Sequence, residues 1–234
     1  MGRLEDVAYN AKKILSLVCG SAVKYGRSPD SVQLLAATKT VSPDLINVAI
    51  DAGIRLVGEN RVQELTAKFD EINKESAQVH FIGHLQTNKV NKVVGRASMI
   101  HSVDSLKLAN EISKYSVASG VCTKILAEVN IGGESSKSGV SPNDLPELLE
   151  GMSALEGIKV SGLMTIPPVC ENIDETERYF ANMQQLFIDI KAKNMDNVDM
   201  IYLSMGMSAD FQSAIKYGSN IIRVGSAIFG ARIY

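Results

Sequence analysis

Apolar residues recur along the chain in short runs, separated by longer segments in which they return every three or four positions. Leu4, Val7, Ala8, Ala11, Ile14, Leu15 and Val18 share one helical face, which predicts an opening amphipathic helix over 4–23. After it the same alternation repeats eight times: an apolar run, a loop, a helical segment. The runs predict strands at Val32–Val41, Arg55–Asn60, Val79–His84, Met99–Val103, Lys124–Ile131, Lys159–Ile166, Asp199–Met205 and Ile221–Val224. Most are continuous rather than alternating, as parallel strands buried on both faces require. Helices are predicted at 43–52, 61–75, 86–97, 105–119, 142–152, 174–193 and 209–217, with a short last one near 226–232. Ser42-Pro43 and Ser141-Pro142 each set a capping hydroxyl before a proline at the first helical position, and Asn60 and Asp104 are further cap candidates. Eight βα units predict an α/β fold, a (β/α)8 TIM barrel with an additional N-terminal helix, as one domain over 1–234. A doubly wound open sheet is the alternative. Its usual glycine-rich turn is missing, since the first strand ends ATKTVSPD.

Composition narrows the function classes. The 234 residues are 45% hydrophobic, enough for a sizeable core. Lys and Arg number 24 against 26 Asp and Glu, so the net charge of −2 offers no basic footprint for nucleic acid. Aromatics are 6% and tryptophan is absent, a poor basis for stacking on bases. Cys19, Cys122 and Cys170 are far apart in sequence and form neither a CxxC nor a zinc-like cluster with histidine. That argues against a disulfide framework and for a reducing compartment. MGRLEDVAYN lacks the basic and apolar regions of a secretory signal, and no apolar run approaches a membrane span. The expectation is a soluble cytoplasmic protein, without nucleic-acid or membrane partners.

In such a barrel, chemistry gathers where the strands end. Those positions hold Lys39, Glu59, Asn60, His84, Asn130, Met164, Thr165, Ser204 and Arg223. Lys39 stands in LLAATKTV, an otherwise apolar stretch. A lysine held at a barrel mouth is partly desolvated, which favours the neutral, nucleophilic amine that condenses with aldehydes. A side chain that snorkels past the rim into solvent is the competing reading. SMGMS after the seventh strand and Gly225-Ser226 after the eighth fall where barrels of this class bind phosphate, at the start of a short extra helix. Hydroxyls of Ser204 and Ser226 can donate there; Ser208 alternatively caps the seventh helix. Arg223 in IIRVG either meets an inward carboxylate or faces a ligand. Asn60, with Gln63 three residues on, resembles a capping box more than a ligand contact. Lys137 in GGESSKSG reads as a solvated loop charge on the same face, and the methionines of SMGMS as packing. A Schiff-base lysine beside a phosphate cup suits pyridoxal phosphate (PLP) or a phosphosugar aldolase.

LLAATKTVSPDLINVAIDAGIRLVGENRVQE, HFIGHLQTNK, SGLMTIPP and LSMGMSADFQSAIKYGSNIIRVGSAIFGAR together resemble the pyridoxal phosphate homeostasis protein family, in family order and over nearly the whole chain. The resemblance implies a fold-type III PLP barrel similar to the N-terminal domain of alanine racemase. It implies that Lys39 holds PLP as an internal aldimine, that Ser204, Gly225 and Ser226 hold the phosphate, that Arg223 faces the pyridine nitrogen and that Asn60 lies beside the cofactor. An arginine is always protonated, so a ring nitrogen facing it stays unprotonated and the ring is a poorer electron sink. Fold-type III racemases add a second domain whose tyrosine is an acid/base, whereas this sequence ends at Tyr234, directly after the barrel. The expected function is therefore a carrier or regulator in PLP and amino-acid homeostasis, a monomer with PLP-dependent apo-enzymes as possible recipients. A single-domain amino-acid racemase of weak activity is the alternative.

Overall fold

The computed structural model describes residues 3–230. Eight parallel strands close into a barrel in sequence order: β1 (Gln33–Ala37), β2 (Leu56–Glu59), β3 (Gln78–Phe81), β4 (Met99–Val103), β5 (Thr123–Glu128), β6 (Ile158–Met164), β7 (Val198–Ser204) and β8 (Ile221–Val224). The ring closes where β1 pairs with β8, Leu35 opposite Arg223. Helices α1 (Arg3–Lys24), α2 (Pro43–Asp51), α3 (Val62–Lys68), α4 (Leu106–Ala118), α5 (Leu145–Ser153), α6 (Ile173–Ala192), α7 (Phe211–Lys216) and α8 (Ser226–Phe229) surround it. Between β3 and β4 a 3-10 helix, Thr87–Lys92, replaces the predicted α-helix.

Each strand is sandwiched. Its outward residues form one continuous core with the helices, with Ile46, Ile50, Leu65, Ile112, Leu149 and Phe180 wholly buried in it. Inward residues form two smaller apolar clusters, Leu35, Leu56, Ile82 and Ile221 on one side and Met99, Leu126 and Met164 on the other. Burial on both faces is why the strands read as uninterrupted apolar runs.

Several boundaries move inward from the sequence reading. β1 stops at Ala37, because Val41 N–H donates to Thr38 O (3.0 Å) and Thr40 adopts φ +62°, turning the chain at Lys39. The predicted helix over 61–75 ends at Lys68. The fifth helix starts at Leu145, not at Pro142: Ser141 Oγ bonds the Asp144 carboxylate (2.7 Å) in the preceding loop. Asn60 is not a cap, since Arg61 holds that position. Ser105, rather than Asp104, caps α4 by accepting from Leu108 N–H (3.4 Å). Part of the predicted last helix, 231–232, lies outside the described residues, as does Tyr234. The opening helix packs against α2, α7 and α8 along the barrel wall. Its 22 residues span about 33 Å, so Arg3 borders the C-terminal mouth while Leu15, Val18 and Cys19 border the N-terminal one.

Candidate functional site

A cavity of about 540 Å³ opens at the C-terminal mouth. Lys39, Asn60, Arg223, Gly225 and Ser226, drawn from three separate stretches of sequence, all line it. Ser204 does not. It is fully buried below the cavity wall, where its Oγ accepts from Arg223 Nη1 (2.7 Å). Ser208 takes a place at the wall instead, its Oγ 3.3 Å from Ser226 Oγ. It is free for this because Asp210, not Ser208, opens α7, with Asp210 Oδ1 accepting from Met207 N–H (2.6 Å). His84 borders a neighbouring cleft with Asn60, and Lys137 is exposed in the loop after β5.

The turn that carries Lys39 is held from below. Thr38 N–H donates to Gly58 O (2.9 Å), and its hydroxyl donates to Glu59 Oε1 (2.7 Å). Lys68 Nζ reaches Thr38 O (3.0 Å), Glu59 Oε1 (3.0 Å) and Glu64 Oε2 (2.7 Å). Glu64 Oε2 also accepts the Thr40 N–H (2.6 Å). Left-handed backbone at a threonine costs about 1–2 kcal/mol, so this network keeps a strained turn in place beside Lys39. Glu59, at zero exposure, is pushed above the ordinary carboxylate range by burial, which outweighs the Thr38 and Lys68 donors. Glu64 is moved the other way: burial alone raises it, but bonds from Lys68 and Thr40 N–H prevail.

Arg223 is the buried cation of the site, at 5% exposure. Its second nitrogen donates to Thr165 O (2.8 Å), so two anchors fix the guanidinium plane. Burial lowers its pKa to about 10, with Glu128 and Asp210 opposing, and it stays charged at neutral pH. Glu128, at the end of β5, is raised to about 7 by burial and by Asp104, against the pull of Arg223. Beyond Ser204 the polar chain continues into the barrel: Ser204 Oγ to His101 Nδ1 (3.1 Å), then His101 Nε2 to His80 Nδ1 (2.9 Å). Burial holds both histidines neutral. Glu128, Asp210, His101 and His80 were absent from the sequence reading. They sit within strands or at a helix start, and only the closed barrel brings Glu128, Asp210 and His101 near Arg223 and His80 against His101.

The cavity fits a phosphorylated pyridine aldehyde. Asn60 Oδ1 is buried without a partner among the described residues, an acceptor left for a ligand. The Gly225-Ser226 turn, whose Gly225 carbonyl accepts the N–H groups of Ile228 and Phe229 (both 3.0 Å), sets small residues and a hydroxyl on one side. Lys39 lines the same cavity just past the end of the neighbouring strand, β1. Against known proteins, the alanine racemase N-terminal domain model matches residues 24–233. A pyridoxal phosphate homeostasis protein from Aquifex aeolicus is 40% identical over 95% of this chain and 96% of its own.

The chain belongs to the pyridoxal phosphate homeostasis protein family.

Solved structures agree with that family assignment. An unknown protein from Bifidobacterium adolescentis superposes with a TM-score of 0.93 at 37% identity, covering 97% of this chain and 96% of that one. PipY of Synechococcus elongatus, a structure with PLP bound, gives 0.79 at 33% identity over 91% of this chain and all of that one. Among the described residues no helix is long and apolar enough to cross a membrane, and no His, Cys, Asp and Glu group could hold a metal ion.

Proposed function

We propose that this protein binds pyridoxal 5'-phosphate at the C-terminal mouth of the barrel and serves the supply of that cofactor in the cytoplasm, as a carrier or regulator. The carrying observation is the convergence in one cavity of the Lys39 amine, the unpartnered Asn60 amide oxygen, the doubly anchored Arg223 and the Gly225-Ser226 turn. When bound, the cofactor supplies an aldehyde that captures a primary amine and a ring that withdraws electrons. Lys39 Nζ is the anchor for that aldehyde. Ser226, Ser208 and the Gly225-Ser226 backbone donate to the phosphate, while Ser204 acts through Arg223 rather than by contact. Asn60 accepts from the ring's polar edge.

Arg223 donates and has no acceptor atom, so a ring nitrogen set against it gains no proton. That favours holding the cofactor over stabilising a carbanion on it. The titratable side chains on the described wall are Lys39, Arg3 and Arg223. Arginines do not exchange protons near neutrality, which leaves Lys39 to move protons there; racemisation uses a base on each face of the substrate carbon. The names of the Aquifex relative and of PipY with its bound PLP support the same reading. The protein acts as a monomer, with PLP-dependent apo-enzymes as recipients.

Adding PLP should give a yellow absorption band. Borohydride should fix the adduct on the Lys39 peptide at one per chain. Lys39→Ala should lose that adduct and keep weaker binding through the phosphate donors. A full adduct on the variant, or label scattered over surface lysines, refutes the site. Incubating the loaded protein with L-amino acids under chiral detection separates the carrier from the racemase; enantiomer formation above the Lys39→Ala level would favour the latter.

A further inference from the structure

A second cavity, about 440 Å³, occupies the opposite, N-terminal mouth of the barrel. Its wall mixes apolar side chains such as Leu34, Leu56 and Met99 with a set of polar and charged ones, where barrel interiors are usually filled by apolar side chains alone. Gln33, Gln78 and Lys124 stand at or near the first residues of their strands, Arg55 lies just before β2, and His80 forms the inner end, two residues deeper than Gln78. His80 is 2% exposed, and its Nε2 is buried with no partner among the described residues.

The hydrogen-bond chain fixes what that nitrogen offers. Arg223 Nη1 can only donate to Ser204 Oγ, and among the described residues the one other side-chain partner of Ser204 is His101. In one direction every hydrogen between Ser204 and His80 is used and the one left over lies at the cavity: Ser204 O–H donates to His101 Nδ1, and His101 Nε2–H donates to His80 Nδ1. His80 Nε2 then carries the proton and is a donor without an acceptor. The reverse direction strands the Ser204 hydrogen in a fully buried position. The group that this N–H calls for at the cavity floor is therefore an acceptor. Lys124 and Arg55 supply two positive charges against the one negative charge of Asp30 on the same wall.

We propose that the N-terminal mouth is a second ligand site, for a small oxyanion, a carboxylate or a phosphate, accepting from His80 Nε2–H beside Lys124. It is separated by the length of the barrel from the mouth that holds Lys39, and it does not depend on what binds there.

The chain has three histidines, and His84 is exposed outside this cavity, so the site carries its own probe and control. Imidazole 15N spectra of the full chain, without cofactor, should show the proton of His80 on Nε2, with His84→Gln used to assign the exposed ring. Titration with inorganic phosphate or with succinate should move the His80 Nε2 resonance while His84 stays still. A response to phosphate alone assigns a phosphate ligand, and one to succinate alone a carboxylate. Lys124→Gln, at an exposed strand start, should weaken binding by about tenfold or more, the effect of losing a charge-assisted hydrogen bond. A His80 proton on Nδ1, a resonance unmoved by either anion, or a shift that persists unchanged in Lys124→Gln overturns the proposal. The last result places the anion at the other mouth or leaves only adventitious binding. None of these outcomes bears on the borohydride test at Lys39.

Discussion

Replacing Lys68 by methionine keeps the length of its side chain and removes its charge from beneath the Lys39 turn. Lys68 is 12% exposed and Glu59 is wholly buried, so the variant leaves a carboxylate in the interior with Thr38 as its remaining donor. Glu59 Oε2 has no partner among the described residues even in the native arrangement. Breaking a buried pair from one side costs about 3–5 kcal/mol, provided the stranded group is ionised. Glu59 already titrates above its ordinary value, chiefly through burial. The folded state therefore binds its proton more tightly than the unfolded chain does, and this group lowers stability as pH rises through that window. Loss of Lys68 raises Glu59 further. Glu64 has the opposite sign: its lowered value adds stability that is present at neutral pH and fades in acid, and most of that also goes with Lys68. Both effects make the deficit grow with pH. Urea unfolding followed by circular dichroism should show the smaller loss at about pH 5, toward the side where Glu59 takes up its proton and no longer needs a cation beside it. At about pH 8 the loss should approach 3–5 kcal/mol. Adding Glu59→Gln should recover most of the difference at the higher pH. A deficit equal at both pH values, or larger in acid, would refute the reasoning.

Glu128, raised to about 7 from 4.5, makes the native state lose about 3 kcal/mol between those pH values. Glu128→Gln should flatten that decline in a series of unfolding curves, and an unchanged slope would show that Glu128 is not its source. Gly83→Ala would drive a methyl group into the Asn60 carbonyl, so it should destabilise by about 1–3 kcal/mol and weaken PLP binding in a fluorescence titration. Normal affinity in a folded Gly83→Ala protein would separate Asn60 from the cofactor. Asn197 sits at φ +58° and its amide donates to Ser153 O, Leu155 O and Ile158 O. Asn197→Ala should lower stability by about 2–3 kcal/mol, while Asn197→Gly should recover only the backbone part; equal stability of the two would leave the backbone without a role.

The eight strands were legible because each is buried on both sides and needs an unbroken apolar run. Their ends were less so. Val41 is as apolar as the strand before it, yet it follows a turn, and nothing local distinguishes the left-handed Thr40 that ends β1. The helix predicted over 61–75 gives way after Lys68 to a turn in which Lys68 O accepts the N–H groups of both Glu71 and Ile72, while its side chain reaches Glu59 and Thr38, contacts from elsewhere in the sequence. Asn60 shows the same limit from the other side. Its spacing from Gln63 matches a capping box, but Arg61 takes the cap and Asn60 faces the cavity.

Sequence alone determined the repeat, and with it the barrel, the face on which chemistry gathers, and the family. Period and burial are local properties, and motif order survives without coordinates. Tertiary structure decided which side chains meet. Ser204 and Ser208 are four residues apart in a loop rich in small residues, and either suits a phosphate; closure of β7 against β8 buries the first under Arg223 and turns the second to the cavity. His80 and His101 lie 21 residues apart on adjacent strands, and each reads as an isolated polar residue in an apolar run. Parallel pairing in a closed ring turns both inward, where low dielectric keeps them neutral and makes each depend on the other for a hydrogen-bond partner.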